Sequence, residues 1–145
     1  MDEQEQGHLR DYLSQVSAQG AHALLTVRPE IALDRVDQAQ AAVLAGQLAD
    51  AAEGFPGTVF VRFAPQMNTT WVPWGQQPEA YTEAFRTVAS ALDAELPDPV
   101  MVWSPTVGTD YPFRDPSSAP AHSGGPAAPD TNADGVWDRE DDPYG

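Results

Sequence analysis

Apolar positions along the first hundred residues alternate between two periods. Leu9, Tyr12, Leu13 and Val16 fall at i, i+3, i+4 and i+7, which puts one apolar stripe along a helix over residues 8–19. Gly20 follows as a C-cap. Residues 21–27 are short, apolar and end before Pro29, so they predict a strand. His22 within it reads as a satisfied core or rim histidine rather than a functional one. Residues 34–52 predict a second helix, with Val36, Val43, Leu44 and Leu48 on one face and Asp37 and Gln40 as a capping pair. Gly54 and Pro56-Gly57 turn the chain into residues 58–63, a β-branched and aromatic run that predicts a buried strand. Pro78 opens a third helix to about residue 95, with Tyr81, Ala84, Phe85, Val88 and Leu92 on its apolar face. Residues 100–104 form a third short apolar run.

Strands therefore start roughly 40 residues apart with one helix between each pair, the βαβ rhythm of a parallel sheet. The expected fold is α/β, with about three parallel strands and intervening helices over residues 1–113. From Gly108 the periodicity stops. Residues 114–129 are rich in Pro, Gly, Ser and Ala and read as a linker or disordered loop, and residues 130–145 as a disordered acidic tail.

Charge narrows the partners. The chain has 145 residues, enough for one domain, and a formal net charge of −15. That balance argues against nucleic acid or an anionic membrane surface as a partner. There is no Cys, so disulfides and thiolate metal sites are excluded. No run is long enough to span a bilayer, and the acidic start lacks the basic and apolar parts of a signal peptide, which leaves localisation open.

The chemistry concentrates after the second strand. Arg62, Gln66, Asn68, Trp71 and Trp74 lie within thirteen residues. In parallel α/β proteins, the loop beyond a strand's C-terminal end is where ligands are handled. Two Trp beside amides suit a flat polar ligand such as a sugar ring, the other reading being packing beneath the loop. Arg62 either orients loop groups or touches the ligand. Asn68 either hydrogen-bonds a hydroxyl or braces the loop. Trp103 is equally placed for core or subsite wall. Glu30, past the first strand, is either solvated or near a sugar hydroxyl.

Arg62-Phe-Ala-Pro-Gln-Met-Asn68, Trp71-Val-Pro-Trp74, Gln77-Pro-Glu-Ala-Tyr81 and later Val102-Trp-Ser-Pro105 resemble the active-site region of the glycoside hydrolase family 26 β-mannanases. The resemblance runs from about residue 20 to 113. It implies part of a (β/α)₈ TIM barrel, a secreted lineage, and a β-mannan-type polysaccharide or oligosaccharide as partner. It also implies substrate contacts from Arg62, Asn68, Trp71, Trp74 and Trp103. The family's catalytic acid/base Glu is matched by Gln66, and the His before it by Pro65. A retaining glycosidase needs two carboxyl groups about 5–5.5 Å apart. Gln66 has no proton to donate, and no segment matching the family's nucleophile follows; Glu30 and Asp110 lie in no matching motif. A (β/α)₈ barrel takes about 250 residues. The expectation is a fragment of, or a degenerate, hydrolase domain whose isolated chain is inactive, the alternative being a non-catalytic carbohydrate- and calcium-binding module.

A second motif closes the chain. Asp130, Asn132, Asp134, Asp138 and Asp141 occupy positions 1, 3, 5, 9 and 12 of a twelve-residue loop, with Gly135 at position 6 and the Val136 carbonyl at position 7. Alternate residues of a tight loop point their oxygens at one centre, which is what a hard cation needs. The spacing resembles EF-hand and dockerin calcium loops, and Asp at position 12 is closer to the dockerin pattern. Without flanking amphipathic helices the expected cofactor is weakly bound Ca²⁺. Calorimetric titration should give a dissociation constant on the order of 10⁻⁴–10⁻³ M. An Asp130→Ala/Asp134→Ala variant giving the same heat would remove the site.

Overall fold

Val59, Val61 and Phe63 alternate with Phe60 and Arg62 along β2 (Val59–Phe63), and burial follows the alternation: the first three are buried, the other two half-buried. The computed structural model describes residues 3–69 and 71–107. It places β2 between β1 (Ala23–Val27) and β3 (Val100–Met101) in a three-stranded parallel sheet of order β1-β2-β3. Ala23 pairs with Val59 and Val27 with Phe63, while Phe60 pairs with Val100 and Val61 with Met101. The α/β class, the three parallel strands and the intervening helices thus stand as read from the sequence.

Among the described residues three α-helices accompany the sheet: α1 (Glu3–Ala18), α2 (Gln38–Ala51) and α3 (Pro78–Glu95). The core joins Val59, Val61 and Phe63 to Ala41, Ala45 and Leu48 of α2 and to Tyr81, Val88 and Leu92 of α3. A smaller cluster joins Leu13 of α1 to Ala23 and Ala51. Ala23 shares the sheet face of Val59, so all three helices cover one face. The opposite face carries Leu24, Thr26, Phe60, Arg62 and Val100, and no helix among the described residues packs on it. Leu24 is 47% exposed and Val100 39%.

Several boundaries move for physical reasons. Helix α1 starts at Glu3 rather than residue 8, with Glu3 and Glu5 favourably placed in its first turn. It ends in a Schellman motif: Gly20, at φ 62°, donates its N–H to Ser17 O, and Ala21 donates to Val16 O. Helix α2 starts at Gln38, because Asp37 is extended (φ −92°, ψ 178°) and its side chain caps the Gln40 N–H at 2.8 Å. Residues Leu33–Arg35 form a separate 3₁₀ turn whose Leu33 enters the core.

The buried stripe of α2 is Ala41, Ala45, Leu48 and Ala51, and Val43, expected on the inner face, is 62% exposed. Alanines let the helix approach its neighbours closely, so the small residues win the interface over the larger ones. On α3 the expected face holds: Tyr81, Ala84, Val88 and Leu92 are buried, with Pro78 in the first turn. The buried Tyr81 hydroxyl donates to Phe63 O at 3.3 Å, and desolvation holds its phenol well above the ordinary tyrosine range.

Strands β1 and β3 are shorter than expected. Residues 21 and 22 lead into β1 without ladder pairing, and His22 Nδ1 accepts the Thr58 N–H at 2.9 Å. That is a satisfied rim histidine, its ring edge-on to Phe60. Beyond β3, Val102 N–H reaches Val61 O, but Ser104 O already serves the loop after β2 and Pro105 has no N–H to give. The linker at 114–129 and the tail at 130–145 lie outside the described residues. Among the described residues no helix is long and apolar enough to cross a membrane.

The packing of α2 makes a paired test. Ala45→Leu should lower unfolding free energy by about 1–3 kcal/mol through overpacking, while Val43→Ala should change it by less than about 0.5 kcal/mol. Urea denaturation monitored by circular dichroism reads both, and equal effects would contradict the assigned face.

Candidate functional site

The chain leaves β2 through two non-glycine residues with left-handed backbone, Ala64 at φ 44° and Gln66 at φ 64°. Each such residue costs about 1–3 kcal/mol and persists only where its surroundings over-determine it. Ala64 N–H donates to Val27 O at the end of β1, and Gln66 N–H to Ser104 O beyond β3, both at 2.8 Å. The loop is therefore pinned across the C-terminal ends of the strands.

Inside the loop several polar groups turn back on the loop itself. Gln76 N–H donates to Met67 O at 2.7 Å and closes the ends. Thr69 donates to Gln66 O through its N–H at 3.0 Å and its hydroxyl at 2.9 Å. The Trp74 indole N–H donates to Pro65 O at 2.8 Å. Met67, Thr69 and Trp74 are buried, so the loop has a small core of its own, the character of a compact Ω-type loop. Gly75 is required by close approach: a Cβ there would overlap the Thr69 carbonyl oxygen.

The structure separates the two tryptophans. Trp74 is buried within the loop and joins the main core, so packing takes it up and no face is left for a ligand. Trp71 is 61% exposed. Asn68 is buried, and its carboxamide grips the Thr106 backbone, accepting from its N–H at 2.8 Å and donating to its O at 3.0 Å. Of the two roles left open for Asn68, bracing is the one its geometry serves. Arg62 donates through Nε and Nη2 to the Thr26 hydroxyl at 3.1 and 2.8 Å, which spreads its guanidinium over the bare sheet face. Trp103 stands edge-on to Tyr81 and Phe85 at 5.1 and 5.5 Å, on the α3 side of the sheet and away from Arg62. Its placement is half core, half surface.

Gln66 is half-buried, and among the described residues its carboxamide has no hydrogen-bond partner. Its side chain can donate and accept hydrogen bonds but cannot release a proton at neutral pH. Glu30 is exposed in the loop after β1. Asp110 and the residues of the acidic motif, Asp130, Asn132, Asp134, Val136, Asp138 and Asp141, lie outside the described residues. Among the described residues no group of three or more His, Asp or Glu is placed to hold a metal.

Sequence reasoning passed over Met67, Thr69 and Gly75, the residues that make the loop compact. A glycine directly after Trp71-Val-Pro-Trp74 was the available signal, since such a position invites close backbone approach. Thr26 could be matched with Arg62 only once the register was known.

Two glycines with opposite surroundings test the loop. Gly75→Ala should destabilise the protein by at least about 1–3 kcal/mol through overpacking. Gly46→Ala in α2, where an added Cβ meets nothing within 4 Å, should stabilise it by up to about 1 kcal/mol. Thermal unfolding midpoints moving in the same direction would contradict the described packing.

No protein-family model, no curated protein and no solved structure matches the chain.

Proposed function

We propose that the loop after β2 is a carbohydrate-contacting platform. In this reading the chain is a fragment of, or a degenerate form of, a glycoside hydrolase family 26-like domain that binds β-mannan-type polysaccharide without cleaving it. The observation that carries the reading is the division of labour between the tryptophans. Trp74 is spent on holding the loop together, while Trp71 is 61% exposed at a loop whose other large side chains are packed. An exposed indole, with the Gln66 carboxamide five residues earlier and without a hydrogen-bond partner among the described residues, is suited to a flat ring edged with hydroxyls.

The architecture supports the finer reading of a (β/α)₈ barrel slice. Consecutive parallel strands in sequential order, with the three described α-helices on one face, are what neighbouring barrel strands present. The uncovered face of Leu24, Phe60 and Arg62 corresponds in that reading to the barrel interior. Chemistry supports binding over hydrolysis. General acid assistance contributes typically 10²–10⁴-fold, and an amide supplies none of it. The alternative of a non-catalytic carbohydrate- and calcium-binding module shares the same loop and differs in needing the acidic motif at 130–141.

The test has two arms. Calorimetric titration with manno-oligosaccharides should show saturable binding that Trp71→Ala weakens about tenfold or more, as expected for loss of a central aromatic anchor. Reducing-sugar release from β-mannan should stay at the heat-killed background for the chain and for Gln66→Glu, because one restored carboxyl does not make a retaining pair. Absence of binding overturns the carbohydrate reading; release of sugar overturns the assignment of Gln66.

A further inference from the structure

Asn68 and Thr69, side by side in the loop after β2, are the buried polar residues among those described. Thr69 serves its own loop through Gln66 O. Asn68 reaches out of it, to backbone 38 residues later in the chain. We propose that Asn68 is a positioning residue: its carboxamide locks the loop after β2 to the chain leaving β3, and so sets how Gln66 and Trp71 are presented.

The chemistry of the contact is specific. A carboxamide carries a donor edge and an acceptor edge side by side, and the Thr106 backbone offers its N–H and its C=O from two successive peptide groups. Both are met at once, at 2.8 and 3.0 Å. Asp has the same shape, but its ionised carboxylate would set an oxygen against Thr106 O. Leu or Ala would leave both peptide groups without this partner, and Gln would carry the same head one methylene too far. The neighbouring Gln66 N–H to Ser104 O bond runs between the same two segments, so at least three hydrogen bonds join them.

The lock also accounts for the backbone. Ala64 and Gln66 hold left-handed φ values that need external constraint. Ala64 is constrained from β1 through Val27 O, and Gln66 from the β3 side through Ser104 O. Asn68 fixes the distance between that second segment and the loop. Gln66 and Trp71 lie on either side of Asn68 in the sequence, within three residues of it. That these two groups face a ligand rests on the carbohydrate reading; the lock itself does not.

The experiment is NMR on the full ¹⁵N,¹³C-labelled chain. In the unsubstituted protein, the Thr106 amide should be protected from hydrogen exchange. A through-hydrogen-bond coupling should connect Asn68 Nδ2 to the Thr106 carbonyl carbon. In Asn68→Asp, Thr106 exchange should accelerate about tenfold or more and the Trp71 indole signal should shift, while amides of β1 and β2 keep their protection. An unprotected Thr106 amide or no coupling in the unsubstituted protein overturns the lock, even if Asn68→Asp fails to fold. A folded Asn68→Asp with an unmoved Trp71 signal overturns the positioning role. Titration with manno-oligosaccharides separates the two readings. An unsubstituted chain that binds none defeats the carbohydrate reading and leaves the lock standing. If the unsubstituted chain binds, Asn68→Asp should bind about tenfold more weakly, and equal binding by both overturns the role of Asn68 in presenting ligand groups.

Discussion

Strand β2 is paired on both sides, and the rest of the described structure hangs from it. Its inward residues Val59, Val61 and Phe63 are the floor on which α2 and α3 pack. Its end is held three ways: Ala64 N–H to β1, Gln66 N–H to the exit of β3, and the Tyr81 hydroxyl to Phe63 O. A parallel ladder tolerates no slip here, because a shift of one residue would turn Phe60 and Arg62 into the core and Val61 out of it. The position of the loop after Phe63 is therefore a consequence of strand register.

That loop combines local strain with dense internal bonding. Two left-handed non-glycine residues are unfavourable alone, yet each sits beside a backbone bond to a different neighbouring segment. The loop also has packing of its own, separate from the sheet: Met67, Thr69 and Trp74 are buried in it, and Gly75 lets two stretches of backbone touch. Trp71 is the large side chain left over. Under the proposed carbohydrate reading, this exposed ring on a densely bonded loop is the surface on which a flat ligand would settle.

The bare sheet face has a composition of its own. His22, Leu24, Thr26, Phe60, Arg62 and Val100 include no carboxylate, in a chain with 22 Asp and Glu residues. The acidic side chains of the described residues are carried by helices and loops instead. Among the described residues nothing covers the apolar surface of this face or pairs with the outer edges of β1 and β3, features that proteins ordinarily cover or blunt. Under the proposed barrel-slice reading it is the interior surface.

The local elements were legible because their causes are local. Pro78 at a helix start, Asp37 capping Gln40, Gly20 after a helix and the β-branched run of β2 each act over a few residues, and each appears where the sequence pattern put it. The parallel order followed from the spacing of strands and helices. Other features depended on which surfaces meet. The two sides of α2 carry similar apolar content, and only contact with α3 and the sheet selected the alanine stripe and turned Val43 outward. Trp71 and Trp74 are chemically identical in the sequence. A single acceptor, Pro65 O, buried one and left the other in water. Asn68 presented two roles of equal standing until the chain returned, 38 residues later, with a backbone stretch that matched both edges of its carboxamide. Periodicity and capping report what a segment can do alone, whereas partner choice is settled by separations that no short window contains.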